Sequence, residues 1–234
     1  MYLQRTRKHN RFIRRFSGLF FENPVLSLGL ALPLAISATN SLQGAVCVMI
    51  GMWATTLPVM LFSALPPVRR FLPQWARFPV YVLLAMAILI PVELRLSPIF
   101  PVVLNSLGVY FPIIAVNTIM LYRCEHVGVR CGVLHTLIDG VLHLLGFSVV
   151  MALLACVREL FGYGSLWGVP VAGITFKLGG LLIPFSGCIL LAFLAAGSRY
   201  IGRLWRVLGY RADLRDSQTP AEEEDEDLDD DLLI

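Results

Sequence analysis

The chain has 234 residues, 57% of them apolar and only 15% charged, and its mean hydropathy is +0.73. Soluble domains run nearer half apolar and a quarter charged, so a soluble enzyme, a nucleic-acid reader and a secreted mini-protein are all poor fits. The formal charge of +3 hides a division: nine of the 16 acidic residues lie between Glu222 and Asp231, and the rest sets 19 Lys+Arg against 7 acidic groups.

Residues 1–19 form a basic segment, too polar from Met1 to Arg15 to span a bilayer. The Pro-broken apolar stretch that follows has no small-residue cleavage site, so it is expected to be retained. A hydrocarbon core of ~30 Å needs about 20 helical residues. Stretches of that kind lie near 24–43, 44–65, 79–97, 105–122, 135–157 and 177–197, predicting an all-α protein of six spans within residues 20–200. Residues 201–234 form a tail, acidic and without aromatic residues from Asp213 onward, that is expected to stay solvated and disordered. An N-terminus inside the cell puts sixteen Lys/Arg in cytoplasmic segments and leaves Arg95, Arg158 and Lys177 outside. Such a bias predicts both termini cytoplasmic.

Candidate chemistry is sparse. No phosphate-cradling loop, dinucleotide fingerprint or Ser/His/Asp arrangement occurs, so no catalytic residue is assigned and electron chemistry would have to come from partners or a cofactor. Five scattered cysteines without a CxxC exclude a disulfide framework. Cys47, Cys156 and Cys188 sit among apolar neighbours and read as packing residues. Cys124, His126, Cys131 and His135 place four soft ligand types within 12 residues, so the loop holds either reduced thiols or a Zn²⁺ or iron site of non-standard spacing. His135, Asp139 and His143 recur every fourth residue and line one helix face, either as a structural polar cluster or as a proton or ion relay. Glu93, Arg95 and the Arg158-Glu159 pair read as interfacial anchors or ion pairs, and Trp53, Trp75, Trp167 and Trp205 as interface-belt candidates.

The segments Leu28-Gly29-x-x-x-Pro33 and Leu107-Gly108-x-x-x-Pro112 share one spacing, each opening a three-helix set and each followed by a polar break. Gly/Pro-interrupted helices at corresponding places in two halves are what inverted-repeat transport folds show. Asn40, Asn117 and Thr118 stand at these breaks, as caps for freed backbone groups or as ion ligands.

The blocks Glu22-Asn23-Pro24, LGLALPLAISATNSL (28–42), SLGVYFPIIAVNTIMLYR (106–123), Asp139-Gly140 and RELFGYGSLWG (158–168) resemble the Rnf/Nqr family of six-helix membrane subunits, nearest to the E component of Rnf and the D component of Nqr. The resemblance spans roughly residues 20–200. It implies two inverted three-helix repeats with broken first and fourth helices, in the cytoplasmic (inner) membrane of a bacterium. It also implies a homologous partner of opposite orientation, further subunits, and a shared [2Fe–2S] cluster in a redox-driven Na⁺ or H⁺ translocase. The family's ligand cysteines correspond here to Ala31 (or Leu32, allowing a gap) and Thr118. Neither is a ligand for iron, so the resemblance carries the fold and not the cluster. The expected role is half of an intramembrane electron and ion path, with Asn40, Asn117, Thr118, Asp139 and His143 as ion-path candidates. The competing expectation is a non-redox paralogue serving as a small-solute or ion transporter or a scaffold.

Overall fold

The computed structural model describes residue 29, residues 31–171 and residues 178–203. The expectations for the basic head, the Glu22-Asn23-Pro24 block, Lys177, Trp205 and the acidic tail lie outside these described residues. The chain divides into two compact units, Met1–Phe193 and Leu194–Ile234.

Helix α1 (Leu32–Ala38) carries Pro33 in its first turn, where a missing N–H costs nothing, and follows Ala31, whose φ of 58° is left-handed. After a turn at Thr39-Asn40, α2 (Leu42–Ser63) begins at Ser41, whose Oγ accepts a hydrogen bond from the Gly44 N–H at 3.1 Å. This is an ordinary N-cap. The short α3 (Pro66–Phe71) leads to α4 (Gln74–Leu96), and α5 (Pro101–Leu107) begins the second broken segment.

That segment first breaks at Gly108, ahead of the polar break expected at Asn117-Thr118. Gly108 adopts φ 48° and ψ −120°, a conformation costly for any residue with a Cβ. Two 3₁₀ turns (Gly108–Tyr110 and Pro112–Val116) follow, then extended Asn117, then α6 (Thr118–Arg123), which runs into a π turn at Cys124–Gly128. The two arms are bent by 44°. Gly29, which like Gly108 lies four residues before a proline, also has a positive φ of 65°.

Helix α7 (Val133–Tyr163) runs 31 residues to the left-handed Gly164. A hairpin follows, pairing β1 (Ser165–Leu166) antiparallel with β2 (Val169–Pro170). Its turn, Trp167-Gly168, has φ of 58° and 78°, the two positive values of a type I′ turn. A 3₁₀ turn at Gly179–Leu182 precedes α8 (Pro184–Arg203).

Among the described residues, α2, α4, α7 and α8 are long and apolar enough to cross a membrane, and the bent pair makes a fifth span if its arms count together. The stretches at 44–65, 79–97, 105–122 and 135–157 correspond to α2, α4, the bent segment and α7. The first predicted span, 24–43, reduces among the described residues to α1. The last, predicted from 177, begins at Pro184, because the 3₁₀ turn occupies the residues just before it.

The core lies where α2 packs on α7 and on α4. Half of the most apolar stretch of α2 and of α7 is buried, against 22% for α4, so the first two are the centre of this unit. Val48, Met52, Val59, Phe147, Met151 and Leu154 fill the seam. Leu83, Ile90 and Leu94 of α4 are exposed, the arrangement expected of a helix facing lipid.

Candidate functional site

The starts of α1 and α6 meet. The backbone N–H of Ala31, at the start of α1, donates to Thr118 Oγ1, at the start of α6, at 3.0 Å. Beside this bond Asn117 is 2% exposed. Its Oδ1 accepts from the Ile119 N–H at 2.9 Å and caps α6, while its Nδ2 points to Met52 Sδ. Thus Ala31, Asn117 and Thr118 share one place although 86 residues separate the first two in sequence.

Asn40 does not join them. It follows the C-terminal end of α1, about 10 Å along the helix from Ala31. Its Oδ1 is buried with no hydrogen-bond partner among the described residues.

The C-terminal end of α1 is held by the pair that sequence reasoning places at the interface. Arg158 is 0% exposed. Its Nη1 donates to Ile36 O at 2.6 Å and Thr39 Oγ1 at 2.8 Å. Its Nε donates to Leu181 O at 3.0 Å, and its Nη2 to Leu182 O at 3.1 Å and Ile183 O at 3.4 Å. Glu159 is 3% exposed and turns the other way, accepting from Leu42 N–H at 2.5 Å and Gly168 N–H at 2.9 Å. A cation thus sits at a carbonyl near the end of one helix and an anion at the first N–H of the next, the signs the peptide dipoles favour. Neither side chain is a surface anchor, and the two do not pair with each other. The available signal was an Arg-Glu doublet inside an otherwise apolar helix, which in lipid demands buried partners.

At the opposite end of α6, Arg123 Nη1 stands 3.6 Å from Asp139 Oδ1, and Arg123 Nη2 meets His143 Nε2. His143 Nδ1 lies 2.7 Å from the Asp139 carbonyl and 3.4 Å from Oδ1. The predicted face therefore keeps Asp139 and His143, but its third member is Arg123. His135 is exposed and stands apart. Arg123 reads as a loop cation in the sequence because only the fold reveals that α6 ends beside α7.

The four loop ligands are not brought together. Cys124 is buried beside Ser63, His126 stacks on Tyr122 with ring centroids 4.1 Å apart, and His135 is exposed. Among the described residues no group of three or more His, Cys, Asp or Glu can hold a metal ion, so the candidate metal site at Cys124, His126, Cys131 and His135 is not formed. The π turn faces successive ligands in different directions. Cys47 is buried as packing, Cys156 is half-buried, and Cys188 is exposed rather than packed. Trp53 Nε1 donates to Ser148 Oγ at 3.0 Å across the α2–α7 seam. Glu93 and Arg95 are exposed near the end of α4.

These features define a multi-span membrane protein in which the start of α1 touches the bent segment at the start of α6. The profile described as "Rnf-Nqr subunit, membrane protein" matches residues 12–198, and the chain belongs to the Rnf-Nqr family. It is similar to the E component of the Na(+)-translocating ferredoxin:NAD(+) oxidoreductase complex of Acetobacterium woodii, 30% identical over 77% of this chain and 91% of the relative. It is similar also to the E component of the proton-translocating ferredoxin:NAD(+) oxidoreductase complex of Clostridium ljungdahlii, 29% identical over 76% of this chain and 84% of the relative. The E component of the ion-translocating oxidoreductase complex of Methanosarcina acetivorans is 30% identical over 79% and 84%.

The [2Fe–2S] cluster that the family resemblance implies does not fit these residues. Ala31 offers a methyl group, and the Thr118 hydroxyl is engaged by the Ala31 N–H. Iron in such clusters is held by thiolate, or by imidazole in place of two thiolates, and neither is present at the meeting point.

Proposed function

We propose that the chain is the membrane subunit of an Rnf/Nqr-type ion-translocating electron-transport complex, forming half of an intramembrane path with a homologous subunit of opposite orientation. The observation that carries this reading is the Ala31–Thr118 hydrogen bond, which joins the starts of α1 and α6 at the place expected for paired half-helices. Two inverted three-helix halves are supported by Gly29 and Gly108, both with positive φ and each four residues before a proline. The names of the relatives support a multi-subunit complex, and we place it in the cytoplasmic membrane of a bacterium.

In this reading the protein ligates no cluster and serves the ion path. Two positive half-helix ends meet at Ala31 and Thr118, which disfavours holding a cation there. Asn117 is already spent on capping. Asp139 is the better cation-holding group, a carboxylate with one buried oxygen left unpartnered among the described residues. The testing experiment is purification through a tagged chain followed by Na⁺ or H⁺ uptake in vesicles driven by a ferredoxin or NADH couple. Flavin-bearing or ferredoxin-like subunits should co-purify, uptake should follow electron flow, and Asp139→Asn should reduce uptake about tenfold or more with the complex assembled. A second reading, a transporter or scaffold that has left redox chemistry, is favoured by the missing thiolates at residues 31 and 118. Solute movement by a chain purified alone, indifferent to redox couples, would establish it and overturn the first.

Both termini are expected to face the cytoplasm, on the strength of the sixteen-to-three division of Lys/Arg. Terminal tags in intact cells should resist a protease added outside and be cut once the cells are opened. Cleavage of either tag in intact cells would reverse the topology.

A further inference from the structure

The Arg123 guanidinium has five N–H donors and no acceptor, so the His143 Nε2 that meets it must accept and carries no proton. The hydrogen of the neutral imidazole is therefore on Nδ1, where the Asp139 carbonyl at 2.7 Å receives it. Arg123 is clamped between two acceptors, His143 Nε2 and Asp139 Oδ1. Two atoms of the same group are left over: Asp139 Oδ2 and Arg123 Nε are buried and have no hydrogen-bond partner among the described residues.

Among the described titratable groups, the Tyr122 ring faces Arg123, with its centroid 5.7 Å from the guanidinium carbon. Helix α2, packed on α7, contributes no charged residue and only Cys47 as a titratable one. On the π turn Glu125 pairs with Arg77 at 3.7 Å, His126 lies on Tyr122, and Cys124 lies beside Ser63. The 3₁₀ turn at Gly179–Leu182 carries none.

We propose that His143 is a proton-operated latch on the Arg123–Asp139 pair, a regulatory proton site that closes the cation-holding carboxylate when it is filled. One proton from water binds Nε2, and no other proton moves. The imidazolium now presents N–H to N–H, so the guanidinium leaves the ring and settles on the unpartnered Asp139 Oδ2. Arg123 and Asp139 keep their charges and the cluster gains one positive charge. With both oxygens engaged by the tethered cation, Asp139 no longer accepts a mobile one. Arg123 ends α6, whose first residue, Thr118, accepts from the Ala31 N–H.

The effect on transport rests on Asp139 lying in the ion path, and the test separates the two ideas. The full chain, isotope-labelled at His and Arg in liposomes, is measured by solid-state nitrogen NMR. With only His9, His126, His135 and His143 present, the His143 signal is the one lost in His143→Gln or His143→Asn. At alkaline pH the signal should show a protonated Nδ1, a bare Nε2 and proximity to the Arg123 guanidinium. On acidification both nitrogens should be protonated and that proximity lost. A proton on Nε2 at alkaline pH, or proximity surviving in the doubly protonated ring, overturns the latch. In the assembled complex, uptake by the parent should fall about tenfold per pH unit below the imidazole's titration, the limit for one proton. His143→Gln presents an oxygen to Arg123 at every pH and should flatten that limb. Spectra as expected with an unchanged limb in His143→Gln uphold the latch and overturn Asp139 as the path.

Discussion

An Arg158→Met chain is expected to lose most of its folded, assembled protein. The guanidinium satisfies the carbonyls of Ile36, Leu181, Leu182 and Ile183 and the Thr39 hydroxyl. Hydrogen bonds from a charged donor contribute about 1.5–3 kcal/mol each, so losing all five removes about 7–15 kcal/mol, comparable to the whole stability of an ordinary domain. Thr39 also donates to Ala35 O at 2.6 Å, so the loss propagates into α1. Arg158→Lys keeps the charge, but an ammonium cannot reproduce the planar fork that serves both α1 and the 3₁₀ turn, and its yield should be intermediate. Detergent-extracted, monodisperse protein measured for each variant decides the matter. A methionine variant as abundant and heat-resistant as the parent would show that Arg158 holds nothing together.

The second large effect is expected at Gly44, where the first turn of α2 passes the end of α1. A Cβ placed there lies 2.8 Å from the Ala38 carbonyl oxygen and 3.1 Å from Ser41 Oγ. Backbone cannot yield as a flexible side chain does, so Gly44→Val must push α1 away from α2, at about 3 kcal/mol, the upper end for overpacking. Gly132→Ala is the control, since a Cβ there meets nothing within 4 Å. Thermal unfolding should show a large loss for the first and almost none for the second. Equal behaviour would mean that the turn at Thr39-Asn40 is soft.

Much of this arrangement is legible in the sequence, for physical reasons. Span length follows from bilayer thickness and helical rise, so α2, α4 and α7 stand out as apolar runs. The irregular segments are partly legible because the shared Gly-to-Pro spacing marks positions 29 and 108, and at Gly108 the backbone takes a conformation that strains any residue with a Cβ. What stays hidden is any contact made to backbone. Arg158 and Glu159 find carbonyls and N–H groups in segments more than 100 residues away, atoms that every sequence carries and none advertises. Arg123 is hidden for a related reason: its charge suits a cytoplasmic loop, and only the approach of α6 to α7 turns it inward. The loop cysteines and histidines fail the other way, since ligand types close in sequence need not face one another on a π turn.

The length of α7 bears on how the protein meets the membrane voltage. Asp139 and Arg158 are 19 residues apart on one helix, about 28 Å of rise, close to the ~30 Å of hydrocarbon across which the potential falls. With α7 along the membrane normal, their two clusters would stand near opposite faces of the insulating layer. A monovalent ion carried from one to the other crosses nearly the whole voltage, about 2.3 kcal/mol per 100 mV. A guanidinium shifting between two oxygens of one carboxylate crosses almost none of it. On the proposed reading, ion transport along this path should be driven or opposed by the electrical gradient, while the proposed shift within the Arg123–Asp139–His143 group should follow local acidity and not voltage.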